Sequence, residues 1–585
     1  MKDANPLGLS REQLAALNPT VRLVEAGPGA GKTRTVVARL MRDFDEGRRV
    51  AMLSFTNAAV DVARHRCRDA PLLLEPPNFV GTFDSFFRRY VVTPAIMRLT
   101  GQRPRYLTSW DDLRSSMALV RPPSGGAAIR LTSFAESDGV WAVDEGKLNR
   151  QERLSWEKLT SWSKQKLNES GNSRISSLLD AHIYDTIAAR QRALTILDSV
   201  ESPLPLLARR FSEVIIDEFQ DCDAIEHAIV DRLTDAGIHV VAVADPDQAI
   251  YEFRQTNSTL YEQFRDGVPV GDRANLTTCY RSTPVICSLI NSLRAVGLGD
   301  VRPSPDHSGG SSTVHVVVGS GVRAGEAAYK IIRQAGISLN KTRVIAHRRS
   351  DARALLRSGQ EPPHGISQME TLLVALADLR SRADPAGRLR AVRRVEAFVL
   401  NHFDWPDDRP TEGRSDQLEL LGLSSEELRG IAGQLLKSSH DWHDTDSCKS
   451  HVRRIIEDLA GRTDVALMPR VGTRLQISPK VWSFWESRTA GLLSETPDAL
   501  RWGHVHGVKG DEFEAVIMAL PSASSATTHV LDDWRDGNNS EQRRVLYVGV
   551  SRAMKELVLV VPQSRRDQLV SILAAGGIQH SVTVA

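Results

Sequence analysis

Cysteine is scarce in this chain: there are five in 585 residues, Cys67, Cys222, Cys279, Cys287 and Cys448, and none lies in a CxxC spacing. That argues against a disulfide framework, a cysteine-built structural zinc or an iron-sulfur cluster, and it fits a reducing cytoplasm. Excess charge is also lacking. A net charge of +2 announces no polyanion binder by composition, so any basic surface must be local. No apolar run approaches the ~18 residues of a membrane span, and the opening "MKDANPLGLS" has no apolar signal region, so neither export nor membrane insertion is expected. Tandem repeats and long low-complexity tracts are missing as well.

What is present is enough chain for roughly four domains of ordinary size. Short β-branched runs alternate with amphipathic segments from residue 20 onward, the pattern of βα units in parallel sheets. "VRLVEA", "VAMLSF", "NFVGTF", "EVIIDEF" and "HVVAVAD" read as buried strands of a first core. "STVHVVVGS", "TRVIAHR", "WGHVH", "EAVIMALP" and "ELVLVVP" read as strands of a second. Each series is interrupted by a mainly helical stretch too long for a loop. The expected fold class is α/β, with two parallel-sheet cores and a helical insertion in each. The expected division is first core 1–88 and 210–295 with insertion 89–209, and second core 296–360 and 491–585 with insertion 361–490.

Between the first strand and the helix-like "TRTVVARLMRDF" lies "AGPGAGKT", that is Ala26, Gly27, Pro28, Gly29, Ala30, Gly31, Lys32 and Thr33. Small residues let backbone N–H groups wrap phosphate oxygens, a lysine reaches the β and γ phosphates, and a hydroxyl can ligate magnesium. The strand, loop and helix context supports a phosphate loop, although Ala26 stands where glycine is usual. A second requirement is a carboxylate at the end of another buried strand. In "EVIIDEFQD", Asp217 can join Thr33 at the metal, and Glu218 is placed to activate an attacking water.

"DEFQD" (217–221), "ADPDQAIYEFR" (244–254), "CYRSTP" (279–284) and "EQRRVLYVGVSRAM" (541–554) together resemble superfamily 1 helicases of the UvrD, Rep and PcrA type. "LSREQLAAL" (9–17), "SFTNAAVDVARHR" (54–66), "GTFDSF" (81–86) and "HVHGVKGDEF" (504–513) take their places around them in the family's order. The resemblance implies two RecA-like cores that hydrolyse ATP with Mg2+ in the cleft between them and move 3′ to 5′ on single-stranded or partly duplex DNA. It implies Gln13 as adenine reader, Arg34 and Tyr280 as the sandwich for the base, and Glu512 as the ribose contact. Gln248 is implied as the link between the γ phosphate and DNA, and Arg281 and Arg552 as the arginines neutralising the transferring phosphoryl group. With Lys32 and Glu218 these form the expected catalytic set.

For the strand, the resemblance implies stacking or bordering by Phe55, Tyr251 and Phe253, and backbone contacts from Thr56, Asn57, Arg254, Arg348, His506 and Lys509. Phe253 replaces a frequent tryptophan. Ala58, Asp84 and His504 stand where relatives often carry lysine, histidine and threonine. The second insertion is short and lacks the glycine-rich and "EIKD"-like duplex signatures of larger relatives, so a translocase with limited unwinding is expected. "HDWHD" (440–444) places His440 and His443 together without further ligands, and no metal is assigned there. "GTFDSFFRRYVVTPAIMRLTG" is similar to the helicase-like component of Gabija antiphage systems, which acts with a separate nuclease bearing its own ATPase domain; DNA repair is the competing role. A different class of function, a nucleotide- and DNA-gated sensor subunit of a nuclease with little translocation, stays open.

Overall fold

The computed structural model describes residues 8–45, 47–55, 60, 63, 64, 67, 71–113, 115–137, 139–250, 258–295, 299–305, 311–356, 368–380, 385–405, 414–468, 471–490, 501–520 and 528–585. Of the expected strand contacts, Thr56, Asn57, Tyr251, Phe253 and Arg254 lie outside the described residues. The chain divides into two compact units, one of residues 1–104, 109–356 and 500–585 and one of 105–108 and 357–499.

The first unit carries two six-stranded sheets. In the first, β1 (Leu23–Ala26), β2 (Val50–Ser54), β3 (Phe79–Thr82), β4 (Glu213–Asp217), β5 (His239–Ala244) and β6 (Arg273–Leu276) lie in the order β6-β1-β5-β4-β2-β3, all parallel. In the second, β7 (Val314–Val318), β8 (Thr342–Ala346), β9 (Arg501–His504), β10 (Phe513–Ala519), β11 (Ala553–Val561) and β12 (His580–Val584) lie in the order β9-β8-β10-β11-β7-β12, again all parallel. Strands such as "VAMLS" and "EVIID" are buried at every position, which is why they read as continuous apolar runs: helices cover both faces of a parallel sheet. Val24, Met52, Ile215 and Val243 build the first core, and Val316, Ile345, Val516 and Leu559 build the second.

Strand order positions the chemistry. β1 and β4 flank β5, so the loops leaving the carboxyl ends of three adjacent strands converge, where open α/β sheets bind ligands. Between β3 and β4 the chain forms helices including Ser161–Asp180 and Thr186–Ser199, together with small hairpins.

The second unit is helical. Gln368–Arg380, Pro385–Leu400, Ser425–Ser438, Thr445–Ala460 and Pro479–Ala490 surround a core of Leu372, Phe398, Leu435, Ile456 and Trp485. Among the described residues no helix is long and apolar enough to cross a membrane.

Candidate active site

The loop after β1 wraps backwards through two left-handed glycines, Gly29 at φ +70° and Gly31 at φ +82°. A Cβ on Gly29 would lie 2.6 Å from Arg281 Cβ and 2.9 Å from Cys279 Sγ. Glycine is therefore required twice over, for conformation and for close approach. The helix Lys32–Asp45 begins directly behind, so its N-terminal turn, with Lys32 and Thr33, faces the loop's concavity.

Lys32 Nζ is buried with no hydrogen-bond partner, and its ion-pair contact to Glu218 is a long 3.9 Å. Asp217 ends β4 fully buried. Glu218 follows it at φ +57°, a left-handed conformation that costs a non-glycine residue roughly 1–3 kcal/mol, and its N–H donates to Asp217 Oδ1 at 3.0 Å. That strained turn throws the two carboxyls apart in character. Burial, then Glu218, pushes Asp217 up to about 7. Burial also acts to raise Glu218, but Lys32, Lys509, the Gln220 amide and Arg552 outweigh it and hold this carboxyl low, at about 2.

Residues from the second sheet reach into the same place. Arg552, just before β11, is buried; its Nη2 donates to Gln248 Oε1 at 3.1 Å and to Ser551 Oγ at 3.0 Å, and its Nε to Val548 O at 3.0 Å. Gln248 in turn donates from Nε2 to Asp245 Oδ2 at 2.6 Å. Arg281 donates to Ser551 O at 3.0 Å and pairs with Glu512, whose side chain is half exposed. Lys32, Glu218, Gln248, Arg281 and Arg552 are thus gathered at one cleft between the two sheets.

Of the expected base contacts, Gln13 and Tyr280 bond to the phosphate loop. Gln13 is buried, and its Nε2 donates to Ala30 O of the loop at 3.1 Å. Arg34 is exposed and reaches Gly8 O at 3.4 Å. Tyr280 is 40% exposed, and its N–H donates to Gly29 O at 2.9 Å.

The expected DNA contacts are spread more widely. Phe55 stacks on Phe83 with centroids 5.6 Å apart, at the margin of a cluster with Phe86, Phe87, Tyr90 and Phe211. Arg348 is exposed at the N-terminus of the helix Arg349–Ala354. His506 is half-buried beside His347 and His504, and burial, then those two rings and Lys509, lowers it to about 4. Lys509 lies in the cleft: its ammonium donates to Asp221 Oδ2 at 2.5 Å and to Gln248 O at 3.1 Å, and lies 4.0 Å from Glu218. Its side chain is only 8% exposed, because two carboxylates of the first core draw it into the cleft.

Three cleft residues carry no assigned role from sequence. Asp245 directly follows β5 and accepts from Tyr547 Oη at 3.2 Å; Tyr547 comes from the second core; and Asp221 anchors Lys509. Asp245 had the same signal as Asp217, a carboxylate closing a buried strand. Tyr547 had none.

A glycine loop, a buried lysine and carboxylates on one parallel sheet, faced by arginine from a second, define a P-loop NTPase built on two RecA-like cores. Residues 9–269 match the family of the UvrD/REP helicase N-terminal domain. The chain is 23% identical over 639 residues to DNA helicase II of Escherichia coli K12, covering 95% of this chain and 84% of that one. To ATP-dependent DNA helicase UvrD2 of Mycobacterium tuberculosis H37Rv it is 24% identical over 601 residues, covering 93% and 76%. Residues 9–269 thus carry the UvrD/REP helicase N-terminal domain, and the chain is a UvrD-like ATP-dependent DNA helicase.

Proposed function

We propose that this protein is a 3′ to 5′ single-stranded DNA motor whose stroke is the closing and opening of the two cores around ATP and Mg2+. The observation that supports it is the contact of Arg552 with Gln248, a second-core guanidinium bonded to a first-core amide, with Glu218 within electrostatic reach of the same guanidinium. The residues fit the ligand: Lys32 Nζ is a buried cation with no hydrogen-bond partner, at the end of the phosphate loop, and Asp217 is a buried carboxyl whose ionisation a divalent cation would favour. Thr33 and Asp217 would hold the metal, which supplies charge neutralisation for the phosphates.

Glu218, kept ionised, orients and deprotonates water, while Arg281 and Arg552 stabilise negative charge as it develops. Arg552 can do so only when its own core is apposed, so hydrolysis is coupled to core movement. Gln248, bonded to Arg552 and three positions before Tyr251 in the sequence, relays that change in this reading to the strand contacts Tyr251, Phe253 and Arg254. Thr56, Asn57, Phe55, Arg348 and His506 are the further strand contacts in this reading.

The cellular role we favour is antiphage defence beside a separate nuclease, on the likeness of residues 81–101 to the Gabija component, with DNA repair as the alternative. ATP turnover with and without single-stranded DNA, combined with streptavidin displacement from biotinylated oligonucleotides, tests the motor. The expected result is DNA-stimulated turnover and displacement from the 5′ end. Neither stimulation nor displacement at either end would leave the sensor reading in its place.

A further inference from the structure

The short helix Arg11–Ala15 begins with a reciprocal cap: Ser10 Oγ accepts from Gln13 N at 3.2 Å, and Ser10 N donates to Gln13 Oε1 at 3.1 Å. That cap fixes the Gln13 amide, whose other end already donates to Ala30 O. The neighbouring Glu12 turns toward a different segment. Its Oε2 accepts from Thr277 N at 2.8 Å and Thr278 N at 3.0 Å, and its Oε1 accepts from Thr277 Oγ1 at 2.6 Å.

Thr277 and Thr278 link the end of β6 to Cys279, Tyr280 and Arg281. This linker is bound to the phosphate loop at its start, through Gly27 N to Leu276 O at 3.0 Å, and beyond it, through Tyr280 N to Gly29 O at 2.9 Å. Between those anchors the only side chain of the N-terminal helix that holds it, among the hydrogen bonds of the described residues, is Glu12. An ionised carboxylate taking two backbone N–H groups and a hydroxyl is a strong and directional clip.

Two residues proposed above to read the base therefore hang from one carboxylate. Gln13 follows Glu12 directly, and Tyr280 lies two residues beyond Thr278. We propose that Glu12 is a positioning residue for base recognition: it sets the distance between the amide that reads the adenine edge and the ring that covers its face, and so sets the preference for ATP over GTP. The inference rests on the reading of Gln13 and Tyr280 as base contacts. It concerns KM and base choice. Glu12 lies outside the set of Lys32, Glu218 and Arg552, so kcat at saturation is governed elsewhere.

The test is steady-state turnover of ATP and GTP, with saturating single-stranded DNA, by the wild type and by Glu12→Gln, Glu12→Ala, Thr277→Val and Gln13→Ala. Losing hydrogen bonds to a charged acceptor corresponds to about a tenfold effect or more. Both Glu12 variants are expected to raise KM for ATP by about that factor, to narrow the ATP to GTP ratio of kcat/KM, and to leave kcat within about twofold. Thr277→Val, which removes one of the three bonds, is expected to show a smaller shift of the same kind. If Gln13→Ala changes the ATP to GTP ratio and the Glu12 variants do not, the positioning role is overturned while the base-reading assignment stands. If none of the four changes it, both are overturned. A fall in kcat and thermal stability with the ratio unaltered would make Glu12 a purely structural tie and would also overturn the proposal.

Discussion

Arg552 Nη2 donates to Gln248 Oε1 across 3.1 Å, joining a guanidinium carried by the second sheet to an amide carried by the first. The bond lies within the group that includes Lys32 and Glu218, so the cleft is assembled only when both cores contribute. Replacing Arg552 by alanine should lower kcat on the order of a thousandfold with a much smaller change in KM, as for an arginine finger. Lysine should rescue little, because an ammonium cannot reproduce the fork that bonds Gln248, Ser551 and Val548. Single-turnover hydrolysis measures this directly.

Asp217 predicts an unusual pH response. Its folded value of about 7 exceeds the ordinary 3.8, so the folded state holds a proton that the unfolded state has released between those limits. This group's contribution to nucleotide-free stability therefore falls as pH rises from about 4 to 7 and is at its least favourable above 7. Asp217→Asn should raise the melting temperature at pH 8, with the gain shrinking toward pH 5, while abolishing turnover. Glu218 has the opposite sign: its stabilising effect is present above its ordinary value and is lost as pH falls toward about 2. Thermal melts of the nucleotide-free variants across pH 5 to 8 check the first statement.

Lys509 separates a strand-contacting role from a cleft role. Removing its side chain takes away the ammonium that pairs with Asp221, a buried carboxylate, and breaking a buried ion pair costs about 3–5 kcal/mol. Lys509→Ala should lower kcat at saturating DNA on the order of tenfold or more, with single-strand affinity changed less than about threefold. Fluorescence anisotropy at several salt concentrations decides it. A reduced salt dependence of binding with intact kcat would return Lys509 to the DNA phosphates.

Gly29→Ala should raise KM for ATP about tenfold or more, because strain at φ +70° adds to a 2.6 Å collision with Arg281 Cβ. Gly47 supplies the control: it has φ +72° and open space around it, so Gly47→Ala carries backbone strain alone and should leave KM unchanged. Equal KM values for the two variants would contradict the close packing of residues 279–281 on the loop.

Much of this was legible in the sequence because it rests on local chemistry. Strands buried at every position announce themselves as apolar runs, and the phosphate loop and Asp217 follow from residue types and flanking elements. The edge strands were harder. β6, "RANL", alternates in burial, and β12, "HSVTV", is largely exposed, so neither carries a continuous apolar signal. Nor could spacing reveal which distant groups would meet. Lys509 finds Asp221, 288 positions away, and Glu12 finds Thr277, 265 positions away, through sheet order and core apposition rather than through any local pattern.

The most direct measurement is a structure of the protein with a nonhydrolysable ATP analogue, magnesium and single-stranded DNA. The γ phosphate is expected within hydrogen-bond distance of both Lys32 Nζ and the Arg552 guanidinium, with Glu218 facing the in-line water. A nucleotide bound to Lys32 but remote from Arg552 with DNA in place would contradict it.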